Sequence, residues 1–170
     1  MASSPRPRRP RALLVDDDPF VLAFLAELLE ECGIETVRAD DGRTGLRLLS
    51  EELASVDLLV TDLVMPDLAG DALVLAVREL GGDRDLPILV ASSFLDEDRA
   101  RALRLAGADA VVDKGRGLAP VAAAARALLA VRDPAAAGAQ AEAQGPLEGT
   151  TAVPDGVSVP LFRIGLRRRH

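Results

Sequence analysis

Five short apolar runs alternate with five stretches whose apolar residues recur at helical spacing, and this alternation constrains the chain more than any other feature. The runs are 11–16, 34–38, 57–62, 86–92 and 110–113. Between the first two, Phe20, Val21, Phe24, Leu25, Leu28 and Leu29 mark a helix capped by Asp18, with Pro19 at its first position and Gly33 at its end. Asp40-Asp41-Gly42 turns into a second helix bearing Leu46, Leu49 and Leu53. A third helix spans 71–80. A fourth starts at Asp96, carries Ala100, Leu103 and Ala106, and stops at Gly107; a fifth spans 118–131. Strands alternating with helices predict a doubly wound α/β fold: a five-stranded parallel sheet with helices on both faces and right-handed crossovers. The runs are apolar nearly throughout, as strands buried on both sides require. In such sheets functional groups collect at the carboxyl ends of the strands.

The chain has 170 residues, enough for one domain and some tail, and 49% are apolar, enough for a core. With four Phe and neither Tyr nor Trp, packing rests on Leu, Val, Ile and Ala. No apolar run approaches the ~20 residues that cross a bilayer. Residues 1–10 form a basic arm that leads straight into the first strand, without the apolar stretch of a secretory leader. The single Cys32 permits no internal disulfide and reads as a buried core thiol. The expectation is a cytoplasmic protein. Residues 12–132 hold 23 acids and 12 bases, a net of −11. A body of that charge binds nucleic acid poorly and suits a cation or a basic partner. The body is read as 11–131. Residues 132–170 are of low complexity and end in an apolar then basic segment, Val157 to His170, read as a disordered tail. That tail has no periodic segment long enough for a helix-turn-helix, so no DNA-binding domain is expected.

The polar groups gather at strand ends. Asp16, Asp17 and Asp18 follow the first strand, Asp62 ends the third, Ser92 and Ser93 end the fourth, and Lys114 follows the fifth. Lys114 is the only lysine among twenty basic residues. Each has an ordinary explanation: a helix cap, a turn, or a lysine left at a solvated strand end. Together, a parallel sheet points them into one crevice. Clustered carboxylates repel one another and call for a cation, and Mg²⁺ suits oxygen ligands with waters retained. A remaining carboxylate can then attack phosphorus, with a metal, an ammonium and a hydroxyl stabilising the transferring group.

The segments Val15-Asp16-Asp17-Asp18-Pro19, Asp57 to Gly70, Pro87 to Ser92 and Gly107 to Lys114 resemble, in order and spacing, the receiver domains of two-component response regulators. The resemblance covers about residues 11–131. It implies the flavodoxin-like strand order 2-1-3-4-5. It further implies that Asp62 accepts phosphate, that Asp17 with Asp16 beside it binds Mg²⁺ together with Asp62 and the backbone carbonyl of Val64, and that Ser92 and Lys114 hold the phosphoryl group. Met65 and Pro66 match the bend after the acceptor. The implied partners are a histidine kinase or phosphotransfer protein and an unnamed protein target, with no membrane and no DNA partner, and with homodimerisation allowed. The output face would be the fourth helix, fifth strand and fifth helix.

Two positions depart from the family pattern. Val111 stands where an aromatic is usual, and Gly115 where a proline follows the lysine. They leave open a receiver-like scaffold that works without phosphate. Val64 and Phe94, two past the acceptor and two past Ser92, are apolar and are expected to slow hydrolysis of the phospho-form. Asp16-Asp17-Asp18 also fits the Asp-x-Asp of haloacid-dehalogenase-like phosphatases. That family wants Thr or Val where Phe20 stands, and a further acidic pair after its lysine.

Overall fold

A computed structural model describes residues 8–81 and 86–132; the arm before Arg8 and the tail after Arg132 lie outside the described residues. Strand β1 (Arg11–Val15) leads to helix α1 (Pro19–Glu31), β2 (Glu35–Ala39) to α2 (Gly42–Glu52), and β3 (Leu58–Asp62) to α3 (Gly70–Gly81). Strand β4 (Ile88–Ser92) leads to α4 (Glu97–Ala106), and β5 (Ala110–Asp113) to α5 (Ala119–Arg132). The strands form one parallel sheet in the order β2-β1-β3-β4-β5, as the resemblance implied.

Successive side chains on a strand face opposite sides, and the core divides accordingly. Ala12, Leu14, Leu58, Val60, Ala110 and Val112 pack with α1 and α5. Leu13, Val15, Leu59, Ile88, Val90 and Val111 pack with residues of α2, α3 and α4. The acid and lysine positions continue the first set by the same two-residue step: Leu14 to Asp16, Val60 to Asp62, Val112 to Lys114. Ser92 continues the second set through Ile88 and Val90.

Local chemistry fixes the helix ends. Asp18 Oδ1 accepts from the N–H of Phe20 at 2.8 Å. Asp41 accepts from Thr44 N–H at 2.7 Å, and Asp96 from Arg99 N–H at 2.7 Å. Gly107 ends α4 with a φ of 120°. One helical stripe differs from expectation. Leu22, Leu25, Ala26 and Leu29 form the buried side of α1, while Phe20 is 83% and Phe24 53% exposed. The buried side of α1 packs in one cluster with Val121, Ala122, Ala124 and Ala125 of α5, and Phe20 and Phe24 fall on the other side of the helix. Cys32 is half-buried against the same cluster rather than enclosed.

A clamp invisible in the apolar pattern ties the far edge of the sheet. The Arg78 guanidinium donates to Gly107 O at 3.0 and 2.6 Å, to Leu86 O at 2.6 Å and to Asp109 Oδ2 at 2.8 Å. It thus joins the end of α3 to the starts of β4 and β5 and the end of α4. Arg47 by contrast makes an exposed i,i+4 pair with Glu51.

Arg78→Met should lower stability by about 2 kcal/mol, because part-buried carbonyls lose their donor. Arg47→Met should cost only about 0.3–0.5 kcal/mol. Urea unfolding of both variants checks this; equal losses would contradict it. The Asp41 carboxyl is held below its ordinary value of 3.8, first by the Thr44 N–H and then by the Thr44 hydroxyl. A depressed pKa means that the cap's contribution is fully present above the ordinary carboxylate value and is lost as pH falls through the depressed one. The Thr44 amide shift should therefore titrate below pH 3.8, and Asp41→Asn should abolish that titration. A midpoint at or above the ordinary value would contradict the cap.

Candidate functional site

At the carboxyl edge of the sheet the chain puts three acids and one base within reach of each other. Strand β1 ends at Val15, but Asp16 N–H still donates to Ala39 O at 3.2 Å, so Asp16 keeps the strand's direction. Asp16 is 6% exposed and Asp62 7%. Lys114 Nζ lies 2.6 Å from Asp16 Oδ2 and 3.0 Å from Asp62 Oδ1. The remaining oxygens are also engaged: Asp16 Oδ1 accepts from Asp18 N–H at 3.0 Å, and Asp62 Oδ2 from Val64 N–H at 3.2 Å. Asp17 is exposed, and its carboxylate lies within 4.8 Å of both the others.

Electrostatics follow from this burial. Desolvation raises the Asp16 pKa, and the bonds from Lys114 and the Asp18 amide pull it only part of the way back. For Lys114 burial acts to lower the pKa, but the bonds and charges of Asp16 and Asp62 outweigh it, so the ammonium is held above its ordinary value. The lysine is therefore charged at neutral pH and is the internal counter-ion of the cluster. Three hard oxygen donors, one of them facing solvent, fit a divalent cation that keeps some of its waters.

The sequence-derived residues fall as follows. Asp16, Asp17, Asp62 and Lys114 come together. Ser92, at the end of β4, is 1% exposed, and its Oγ accepts from Phe94 N–H at 3.2 Å. It does not cap the next helix; Asp96 does. Val64 follows Asp62 in an exposed loop in which Met65 is buried. Val111, which stands where the family usually has an aromatic, is 5% exposed and belongs to the core cluster under α2, α3 and α4. After Lys114 the chain forms a 3-10 turn, Lys114–Arg116, with Asp113 accepting from Gly115 N–H at 2.8 Å. Glycines that read only as turn residues in the sequence shape the loop after Asp62. Gly70 N–H donates to Leu63 O at 2.9 Å, and a Cβ on Gly70 would stand 2.0 Å from Asp62 O. Its signal in the sequence is a glycine eight residues past Asp62.

Comparison with known proteins decides the family. The profile of the response regulator receiver domain matches residues 12–126. The chain belongs to the receiver domain family. The transcriptional regulatory protein PrrA of Mycobacterium tuberculosis is 39% identical over 159 residues, which are 91% of this receiver chain and 66% of PrrA. The chain thus spans a little under two thirds of the length of that relative. The sensor histidine kinase TmoS of Ectopseudomonas mendocina is 39% identical over 89 residues, 52% of the chain and 9% of TmoS. Among solved structures, the receiver domain of the Francisella response regulator 1452 has a TM-score of 0.67 at 25% identity, covering 73% of this chain and 99% of that one. The receiver domain of the Arabidopsis thaliana histidine kinase CKI1, solved with Mg²⁺ and BeF₃⁻, has a TM-score of 0.63 at 26% identity, covering 71% and 90%. Among the described residues of this receiver no helix is long and apolar enough to cross a membrane.

Removing the ammonium leaves buried carboxylates uncompensated. Lys114→Met should destabilise the metal-free receiver by about 2 kcal/mol, less than a fully enclosed pair because the crevice opens to water. Millimolar Mg²⁺ should return most of that loss and should bind the variant more tightly than wild type. Urea unfolding with EDTA and with Mg²⁺ reads both effects; a loss unchanged by the metal would contradict the counter-ion role.

Proposed function

We propose that this receiver accepts a phosphoryl group on Asp62, with Mg²⁺ held by Asp16, Asp17, Asp62 and the backbone carbonyl of Val64, and transmits the change through a protein contact. The observation that carries this reading is Lys114 Nζ lying 2.6 Å from Asp16 and 3.0 Å from Asp62, beside a third carboxylate. The donor is a phosphohistidine on a histidine kinase or phosphotransfer protein.

An Asp62 carboxylate oxygen forms the new P–O bond as the P–N bond to the donor imidazole breaks. The bonding pair leaves on the imidazole nitrogen, and Asp62 becomes an acyl phosphate. Bound Mg²⁺ supplies charge neutralisation at the phosphoryl oxygens. Lys114 exchanges part of its contact with Asp16 for a phosphoryl oxygen, and the Ser92 hydroxyl donates to another. Mg²⁺ and BeF₃⁻ in the related CKI1 receiver support this assignment. Output falls on the face of α4, β5 and α5, toward a target protein or a second copy.

A phosphate-independent scaffold draws on Val111 and Gly115. Both substitutions leave the Asp16–Lys114–Asp62 contacts in place, so phosphorylation is the favoured reading. Membership of the receiver family displaces the haloacid-dehalogenase alternative.

Fluorine NMR with Mg²⁺ and beryllium fluoride tests the acceptor. Wild type should give resonances of a bound adduct, and Asp62→Asn should give none. Equal binding by Asp62→Asn would move the acceptor elsewhere. Val64 and Phe94, two residues past Asp62 and Ser92, are apolar and 53% and 76% exposed, and in this reading they hinder the attacking water. The phospho-protein should persist for minutes or longer; a half-life of seconds would contradict that shielding.

A further inference from the structure

We propose that Gly42, the first residue of α2, is a positioning residue: it sets the place of the loop that offers the Val64 carbonyl to the metal. This rests on the reading of Asp62 and Val64 given above and assigns a role to a turn that offers no ligand of its own.

The loop 63–69 is held from two sides by backbone contacts that admit no side chain. On the inner side is Gly70, packed on the carbonyl of Asp62 as described. On the outer side is Gly42, where a Cβ would stand 2.3 Å from Leu68 O and 2.9 Å from Leu68 Cβ. A backbone carbonyl cannot swing aside as the end of a side chain can, so an added methyl group must move the loop. Little slack exists within it. Leu68 N–H is bonded to Pro66 O at 2.9 Å, Met65 is buried, and Asp67 already sits at a φ of 68°, a region that non-glycine residues seldom occupy. A push at Leu68 therefore travels back toward Val64.

Gly42 cannot retreat instead. Asp41 fixes the first turn of α2 through Thr44 N–H and Thr44 Oγ1, each at 2.7 Å, and Gly45 N–H donates to Asp41 O at 3.0 Å. Gly45 in turn lies against the Val15 side chain, where a Cβ would meet Val15 Cγ2 at 2.8 Å, so α2 is seated on β1. The start of α2 is a rigid stop against which the acceptor loop rests.

The test uses the full chain and compares Gly42→Ala with Gly107→Ala. The second is a destabilising control at the opposite edge of the sheet, where a Cβ would meet Arg78 Cγ at 2.9 Å. Since the sequence has neither Trp nor Tyr, Mg²⁺ affinity is read from amide shifts of Asp17 and Val64 in an NMR titration. Gly42→Ala should weaken Mg²⁺ binding about tenfold, the scale seen when groups that support metal ligands are altered. It should also shift the fluorine resonances of the beryllium fluoride adduct. Gly107→Ala should keep wild-type affinity while losing stability. Wild-type affinity in Gly42→Ala, or an equal loss in Gly107→Ala, would overturn the proposal. If Gly42→Ala does not fold, Asp41→Ala decides: loosening the first turn should weaken Mg²⁺ binding about twofold or more, and an unchanged affinity would overturn the role. A wild-type protein that binds neither Mg²⁺ nor beryllium fluoride would count against the phospho-acceptor reading itself, independently of how the variants differ.

Discussion

One ammonium shared between two buried carboxylates organises the site. Asp16 and Asp62 are nearly enclosed, and two such anions side by side repel each other at a cost that burial makes larger. Lys114 relieves that cost through contacts of 2.6 and 3.0 Å. The same contacts keep the lysine charged despite its own burial. With Asp17 counted, one ammonium stands against three carboxylates, two positive charges short of neutrality. That deficit is the physical reason a divalent ion fits beside Asp17.

The sheet explains why such a costly arrangement lands where it does. In parallel strands every carboxyl end faces the same way, and the two-residue period of a strand decides which side of the sheet each end group serves. Asp16, Asp62 and Lys114 continue the rows that pack under α1 and α5, and Ser92 continues the row under α3 and α4. The site therefore straddles the sheet edge.

Much of this was legible in the sequence because it rests on local rules. Apolar runs bounded by Gly33 and Gly107, and caps at Asp18, Asp41 and Asp96, carry the element order directly. The gathering of Asp16, Asp62 and Lys114 followed once the sheet was taken as parallel. The strand order came from family resemblance, since alternation alone does not say which strands neighbour. Three features escaped. Phe20 and Phe24 have helical spacing with the core residues of α1, but the side turned to the core is that of Leu22, Leu25, Ala26 and Leu29. Arg78 reads as one more surface arginine until Gly107 and Asp109 are brought against it. Gly42 and Gly70 read as turn residues, and only tertiary packing reveals that they lie against the carbonyls of Leu68 and Asp62.

The most direct measurement is to locate the modified side chain chemically. The full chain is treated with Mg²⁺ and a small acyl phosphate donor, reduced with borohydride to convert an aspartyl phosphate to homoserine, and mapped by peptide mass spectrometry. Homoserine should appear at position 62 alone, with none when EDTA replaces the metal. Homoserine at position 16 or 17, or its absence under conditions where the protein is folded and Mg²⁺ is bound, would contradict it.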